Sequence, residues 1–146
     1  MNHVAQMREL LAELMDVANS PVYAICIEIV SYLEHHPQQK ILTIGGLRAA
    51  LHQSEKNDSA LIQAAYTLTS HPFFVLEVNY KLYDSALEDV IEELDHSAYM
   101  EAISQGYFID KDGNEIINNE LNKRVFPYFV NQYHRALETK VDMRFE

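Results

Sequence analysis

From residue 20 to residue 37 the sequence reads SPVYAICIEIVSYLEHHP, and this stretch limits the fold more than any other. Ser20 suits a helix N-cap, and Pro21 suits the first helical position, where its missing N–H is not needed. From Val22 to Leu33 the run is apolar on nearly every side, and a helix without a wet face has to lie at the centre of a core. It should stop by Pro37, because proline disfavours the helical state in the residue before it. Cys26 falls inside the run as the only cysteine of the chain. There a small buried hydrophobe is the better account than a nucleophile, and one cysteine cannot close an internal disulfide. The expectation is a reducing, cytoplasmic setting.

The segments around it carry periodic signals of their own. Val4, Met7, Leu11, Leu14 and Ala18 recur every three or four residues, with Arg8, Glu9, Glu13 and Asp16 between them, which predicts an amphipathic helix from His3 to Ala18. ILTI is a short β-branched run, followed by Gly45-Gly46 as a strand-to-helix turn and a short helical piece, LRAALH. Asn57, Asp58 and Ser59 offer caps for a helix to about Ser70, with Leu61, Ala64, Ala65 and Leu68 inward. FFVLEVNYKLY alternates as a strand does, with Phe74, Leu76, Val78, Tyr80 and Leu82 on one face and Glu77, Asn79 and Lys81 on the other.

Ser85 and Glu88 read as a capping box that opens a helix, with the apolar line Leu87, Val90, Ile91, Leu94 and Ala98, ending at Gly106. YFID, KDGN and EII predict two short strands around an Asp-Gly turn. A last helix is expected from about Asn119 to Lys140, kinked or broken near Phe126 by Pro127. These elements make a single domain over residues 1–146, α+β and mostly helical, with a small antiparallel sheet. Residues 22–84 form its core, and residues 85–146 add an acidic helix, the hairpin and a C-terminal helical extension. The order helix, short strand, helix, helix, strand across residues 22–84 resembles the winged helix-turn-helix superfamily. The resemblance lies in element order and covers under half the chain; it implies a winged-helix-like core and, as one use of such a fold, DNA binding.

Charge bears on that use. The chain carries 22 Asp and Glu against 11 Lys and Arg, a net charge of −11, and its cations are scattered from Arg8 to Arg144. Such a balance repels nucleic acid. The helix that would read bases, SALIQAAYTLTS, offers Gln63 and no Lys or Arg, where major-groove readout leans on cations and amides. The acidic residues gather instead. No Lys or Arg stands between Lys81 and Lys111, while Asp84, Glu88, Asp89, Glu92, Glu93, Asp95, Glu101 and Asp110 all do.

The N-terminus, MNHVAQMREL, has neither the basic nor the apolar region of a signal peptide, and no apolar stretch approaches the roughly 18 residues of a membrane span. The seven histidines stand at no spacing that suits a metal. No nucleophile stands beside a base, and Gly45-Gly46 lacks the rest of a phosphate loop. From Asp110 the stretch DKDGNEIINNE imitates a calcium loop, but the required glycine is displaced and the final glutamate arrives one residue early. A hairpin turn explains the same residues with nothing missing.

The expectation is therefore a non-enzymatic adaptor or regulatory subunit with no cofactor and no metal, which docks to another protein. Its partner should have a basic surface, and a homo-oligomer is left open. The candidate contacts are an acidic helix face at Asp84, Glu88, Asp89, Glu92, Glu93 and Asp95, and a C-terminal aromatic segment at Phe126, Tyr128, Phe129 and Tyr133. The alternatives are a winged-helix transcription regulator and an acidic mimic of DNA that occupies a nucleic-acid-binding protein.

Overall fold

A computed structural model of the protein describes residues 3–18 and 20–134. The chain divides into two compact units, one formed by residues 1–77 with 129–146 and the other by residues 78–128.

In the first unit, α1 (His3–Ala18) buries Val4, Met7 and Leu11, as their spacing requires. α2 (Pro21–His35) begins where Ser20 accepts a hydrogen bond from the Val22 N–H, and it buries Ile25, Cys26, Ile29, Val30 and Leu33. Burial pushes the Cys26 thiol up to about 12, so it stays protonated and unreactive. The helix closes with the His36 N–H on the Leu33 carbonyl, just ahead of Pro37.

β1 takes only two residues of ILTI, Ile41–Leu42. Thr43 instead caps α3 (Ile44–Ala50), accepting from the Gly46 N–H at 3.0 Å, so the two glycines lie in the first helical turn rather than between strand and helix. A short 3-10 turn (Glu55–Asn57) leads into α4 (Asp58–Thr67). Leu61, Ala64 and Ala65 of α4 are buried, with Leu68 just beyond its end. Arg48 grips Asp58 with two bonds of 2.8 and 2.7 Å, which hold the Asp58 carboxyl below its usual range.

β2 (Leu76–Tyr83) alternates as expected. Leu76, Val78, Tyr80 and Leu82 are buried, while Glu77, Asn79 and Lys81 face the other way. The strand starts later than its sequence suggests. Phe74 was expected on the buried face, yet it is exposed at a φ of +49° in the turn before the strand, and Phe73 takes the inside place.

Two expected helices are strands over part of their length. Residues 84–89 are a turn, and β3 (Val90–Asp95) pairs antiparallel with β2. The capping box at Ser85 therefore opens no helix, and strand alternation sends Glu92 to the face opposite Glu93 and Asp95, so the expected acidic helix face does not form. Helical spacing in ALEDVIEEL loses to pairing with a ready alternating strand, an override common for β-branched residues such as Val90 and Ile91. The helix of this region starts later: Asp95 caps α5 (His96–Gln105) by accepting from the Ala98 N–H at 2.7 Å, and Gly106 ends it at a φ of +95°, in the left-handed conformation suited to glycine.

The second correction concerns the C-terminal helix. α6 (Asn118–Arg124) stops at Val125, and β6 (Val125–Asn131) follows with Pro127 inside it. β1 pairs with β6 only at Phe129 and Val130, so Pro127 lies beyond the paired stretch on that side. Residues 135–146, which the expected helical extension includes, lie outside the described residues.

The hairpin of β4 (Tyr107–Ile109) and β5 (Glu115–Ile117) forms where the Asp-Gly turn placed it. The described fold is thus α+β, with six α-helices, a four-stranded sheet in the order β1-β6-β2-β3, and the separate two-stranded β4-β5 hairpin.

Candidate functional site

The second unit, residues 78–128, contains most of the sequence-predicted contact residues. Asn79, Tyr80, Lys81 and Leu82 stand opposite Asp95, Leu94, Glu93 and Glu92; then the register slips, and Tyr83 meets Val90. Ile91 is the extra residue of a β-bulge, which twists and bends a strand where it sits. The turn beyond is set by Asp84. Its backbone N–H bonds to the Asp89 carbonyl, its own carbonyl accepts from Leu87, and its carboxylate accepts from the Glu88 N–H at 2.9 Å. Leu87 has a φ of +59° and is 49% exposed, and Val90 is 43% exposed. Both were expected on a buried helical line.

The aromatic segment reaches this same hairpin. Phe126 packs edge-on against Tyr83 at 5.6 Å between ring centroids, and is itself 47% exposed. Arg124 Nε donates to the Tyr83 carbonyl at 2.8 Å, which holds the start of β6 to the end of β2. Tyr128 donates its hydroxyl to Glu93 at 2.6 Å, and the Lys81 ammonium sits 5.2 Å above the Tyr128 ring. Two segments that looked independent in sequence therefore share one surface. The other half of the aromatic segment does not join it. Phe129 is fully buried in the first unit, edge-on to Tyr66 at 5.4 Å, and Tyr133 is buried there too. Alternation along β6 sends Tyr128 and Phe129 to opposite faces, so the four aromatics do not share one surface.

The acidic residues separate in the same way. Asp84 holds the turn and Asp95 caps α5. Glu92 accepts from the Lys111 N–H at 3.0 Å, and Glu93 takes the Tyr128 hydroxyl. Glu88 and Asp89 are exposed and have no side-chain hydrogen bond among the described residues. The exposed side chains at this end of the hairpin are Leu87, Val90 and Phe126, apolar and half-exposed, with the carboxylates Glu88 and Asp89, which no hydrogen bond engages among the described residues. Its apolar members were hidden in the sequence because helical spacing assigned them inward. The Asp84-Ser85 pair after an alternating strand is the turn signal that could have placed them.

Other polar groups are committed to structure. Both Asp110 oxygens accept hydrogen bonds within its own turn, from the Asp112 and Asn114 N–H groups at 2.9 Å and from the Asn114 amide at 3.3 Å. The Asn114 N–H, then the Asn114 side chain, the Asp112 N–H and the Arg124 charge hold this carboxyl below the usual range. Each ring of His35 and His36 bonds through Nδ1 to a carbonyl one turn back in α2. Among the described residues, no group of three or more His, Cys, Asp or Glu is gathered as a metal site. A shallow open hollow in the first unit, lined by Ser20, Val22, Tyr23, Gln63, Tyr66, Thr67 and Ser70, holds neither a carboxylate nor a cation.

Comparison of the chain with family models, with curated proteins and with solved structures finds no match.

Proposed function

We propose that the protein is a non-enzymatic adaptor or regulatory subunit that docks to another protein through the turn of the β2–β3 hairpin. The observation behind this reading is the half-exposed trio Leu87, Val90 and Phe126 beside the exposed carboxylates Glu88 and Asp89. An apolar centre with a charged rim is the usual anatomy of a binding surface. Its sign calls for a basic partner, whose approach the negative field speeds and whose register it fixes. Residues 78–128 hold eleven acidic against four basic residues, a net of −7.

A second reading has one observation in its favour. β3 supplies a strand after β2, so the chain order α2, β1, α3, α4, β2, β3 agrees with a winged-helix core. β6 between β1 and β2 departs from that plan. In a DNA-binding use the β2–β3 turn would be the wing and α4 the reading helix. The wing would then offer Asp84, Glu88 and Asp89 to phosphates, and α4 has no cation. These signs favour protein docking within such a fold. They also weigh against a mimic of DNA, which needs unengaged rows of carboxylates, because four of the six here hold local structure.

The test uses the full chain as bait in an extract of the native cell. Wild type is compared with Glu88→Lys/Asp89→Lys and with Phe126→Ser. The expected result is a basic partner whose recovery falls with either variant and with rising salt. Recovery unchanged by both variants would overturn the assignment to this surface. A sequence-specific duplex DNA complex that survives about 150 mM salt would put the transcription-regulator reading first, since nonspecific binding is weak there, with a Kd of about 10⁻⁴–10⁻⁶ M.

A further inference from the structure

The β4–β5 hairpin carries a second exposed apolar face, which neither the turn site nor the core uses. Tyr107 stands directly opposite Ile117, and Ile109 opposite Glu115. Opposed residues and alternate residues of a strand share a face, so these four side chains form one contiguous patch. Phe108 and Ile116 point to the other face, where Ile116 is buried. Tyr107, Ile109 and Ile117 are 37%, 48% and 58% exposed. Contiguous apolar side chains left in water mark an interaction site more often than scattered ones do.

We infer that this face binds a short basic, apolar peptide segment of a partner protein: two or three aliphatic or aromatic side chains on Tyr107, Ile109 and Ile117, and a Lys or Arg on Glu115. The inference rests on the docking reading above for the sign of the charge, but concerns a different surface. Charge complementarity selects the occupant. Glu115 lies within the patch, Asp112 is exposed at the adjoining turn, and Lys111 is the one cation of the hairpin, in a unit with a net charge of −7. That field repels nucleic acid, an anionic membrane and a second copy of the chain alike. Size points the same way. Three half-exposed side chains fall far short of the roughly 800 Å² per partner that a stable globular interface buries, whereas a peptide segment needs no more.

Short random peptides displayed against the immobilised full chain test this, with binders mapped on the wild-type protein by amide chemical shifts. Selected peptides should combine apolar residues with Lys or Arg, and their shifts should centre on Tyr107, Ile109, Glu115 and Ile117. Affinity should fall about tenfold with Glu115→Lys, by a similar factor with Ile117→Ser, and further as salt rises. Shifts centred on Leu87, Val90 and Phe126 would overturn this inference and leave the turn site standing. An empty selection, or binders that are neutral or acidic, would overturn it as well. So would self-association of the free chain that Ile117→Ser abolishes, because the occupant would then be a second copy. If a variant fails to fold, the wild-type footprint and its salt dependence still decide.

Discussion

Residues 1–77 with 129–146 bury nineteen apolar side chains among the described residues, while residues 78–128 bury eight. Exposure runs the other way. Of the ten large apolar side chains left half in water, Ile41, Ile62 and Phe74 belong to the first unit, and Leu87, Val90, Met100, Tyr107, Ile109, Ile117 and Phe126 to the second. The smaller unit replaces part of a missing core with side chains bonded to backbone: Asp84, Glu92, Asp95 and Asp110 accept N–H groups, and Asn118 and Arg124 donate to carbonyls. Polar anchors of this kind fix turns and helix ends without consuming apolar side chains. Those remain exposed, as the docking role proposed above would require.

The largest expected effect tests the core side of this contrast. Leu33→Ala on α2 removes a fully buried side chain, and the chain should lose about 2–5 kcal/mol of stability in urea unfolding. In native-state hydrogen exchange, the amides of residues 78–128 should open at lower free energy than those of α2 and α4. Equal protection in both units would break the comparison.

Removal of a polar anchor comes next. Asp110→Ala should raise exchange at the amides of residues 110–114 and loosen the β4–β5 hairpin while α2 keeps its protection. The same carboxylate gives the hairpin an acid limit. Its folded pKa is depressed by the Asn114 and Asp112 N–H groups, so its stabilisation is complete above the unfolded value near 3.9 and is lost as pH falls through the lower folded value. Residue-resolved exchange below about pH 4 should show that opening in wild type, and Asp110→Asn should flatten its pH dependence. Loss of protection spread evenly over both units would mean that no local anchor is involved. The smallest effect belongs to Glu88→Lys/Asp89→Lys, which should change stability by no more than about 0.5 kcal/mol per site, as measured by urea midpoint, because neither side chain holds structure.

Local signals made much of the fold legible in the sequence. Ser20-Pro21 and Pro37 bracketed α2, the alternation from Leu76 to Tyr83 marked β2, and Asp112-Gly113 fixed the β4–β5 turn. What stayed hidden were β3 and β6, whose state is decided by strands distant or newly folded. VIEELD sits at helical spacing until β2 is there to pair with it. RVFPYFV was expected as part of a helix kinked or broken at Pro127, and pairing of Phe129 with Leu42 makes it a strand instead. The candidate site was half legible for the same reason. Its charges and Phe126 could be named from the sequence, whereas Leu87 and Val90 come to the surface only because the segment is a hairpin.

The division of the chain also imposes an order of events during synthesis. Residues 78–128 leave the ribosome as one uninterrupted stretch, with the partners of every strand in their two hairpins close by in sequence. The first unit has to wait. Leu42 and Tyr66 emerge early, yet Phe129, which pairs with one and packs edge-on against the other, comes only after the whole second unit. Contacts so far apart in sequence form slowly, and apolar surface left uncovered in the interval is open to aggregation. The nascent chain thus spends its most vulnerable interval with the larger core unfinished and the acidic segment already outside, where its net charge of −7 can keep neighbouring chains apart.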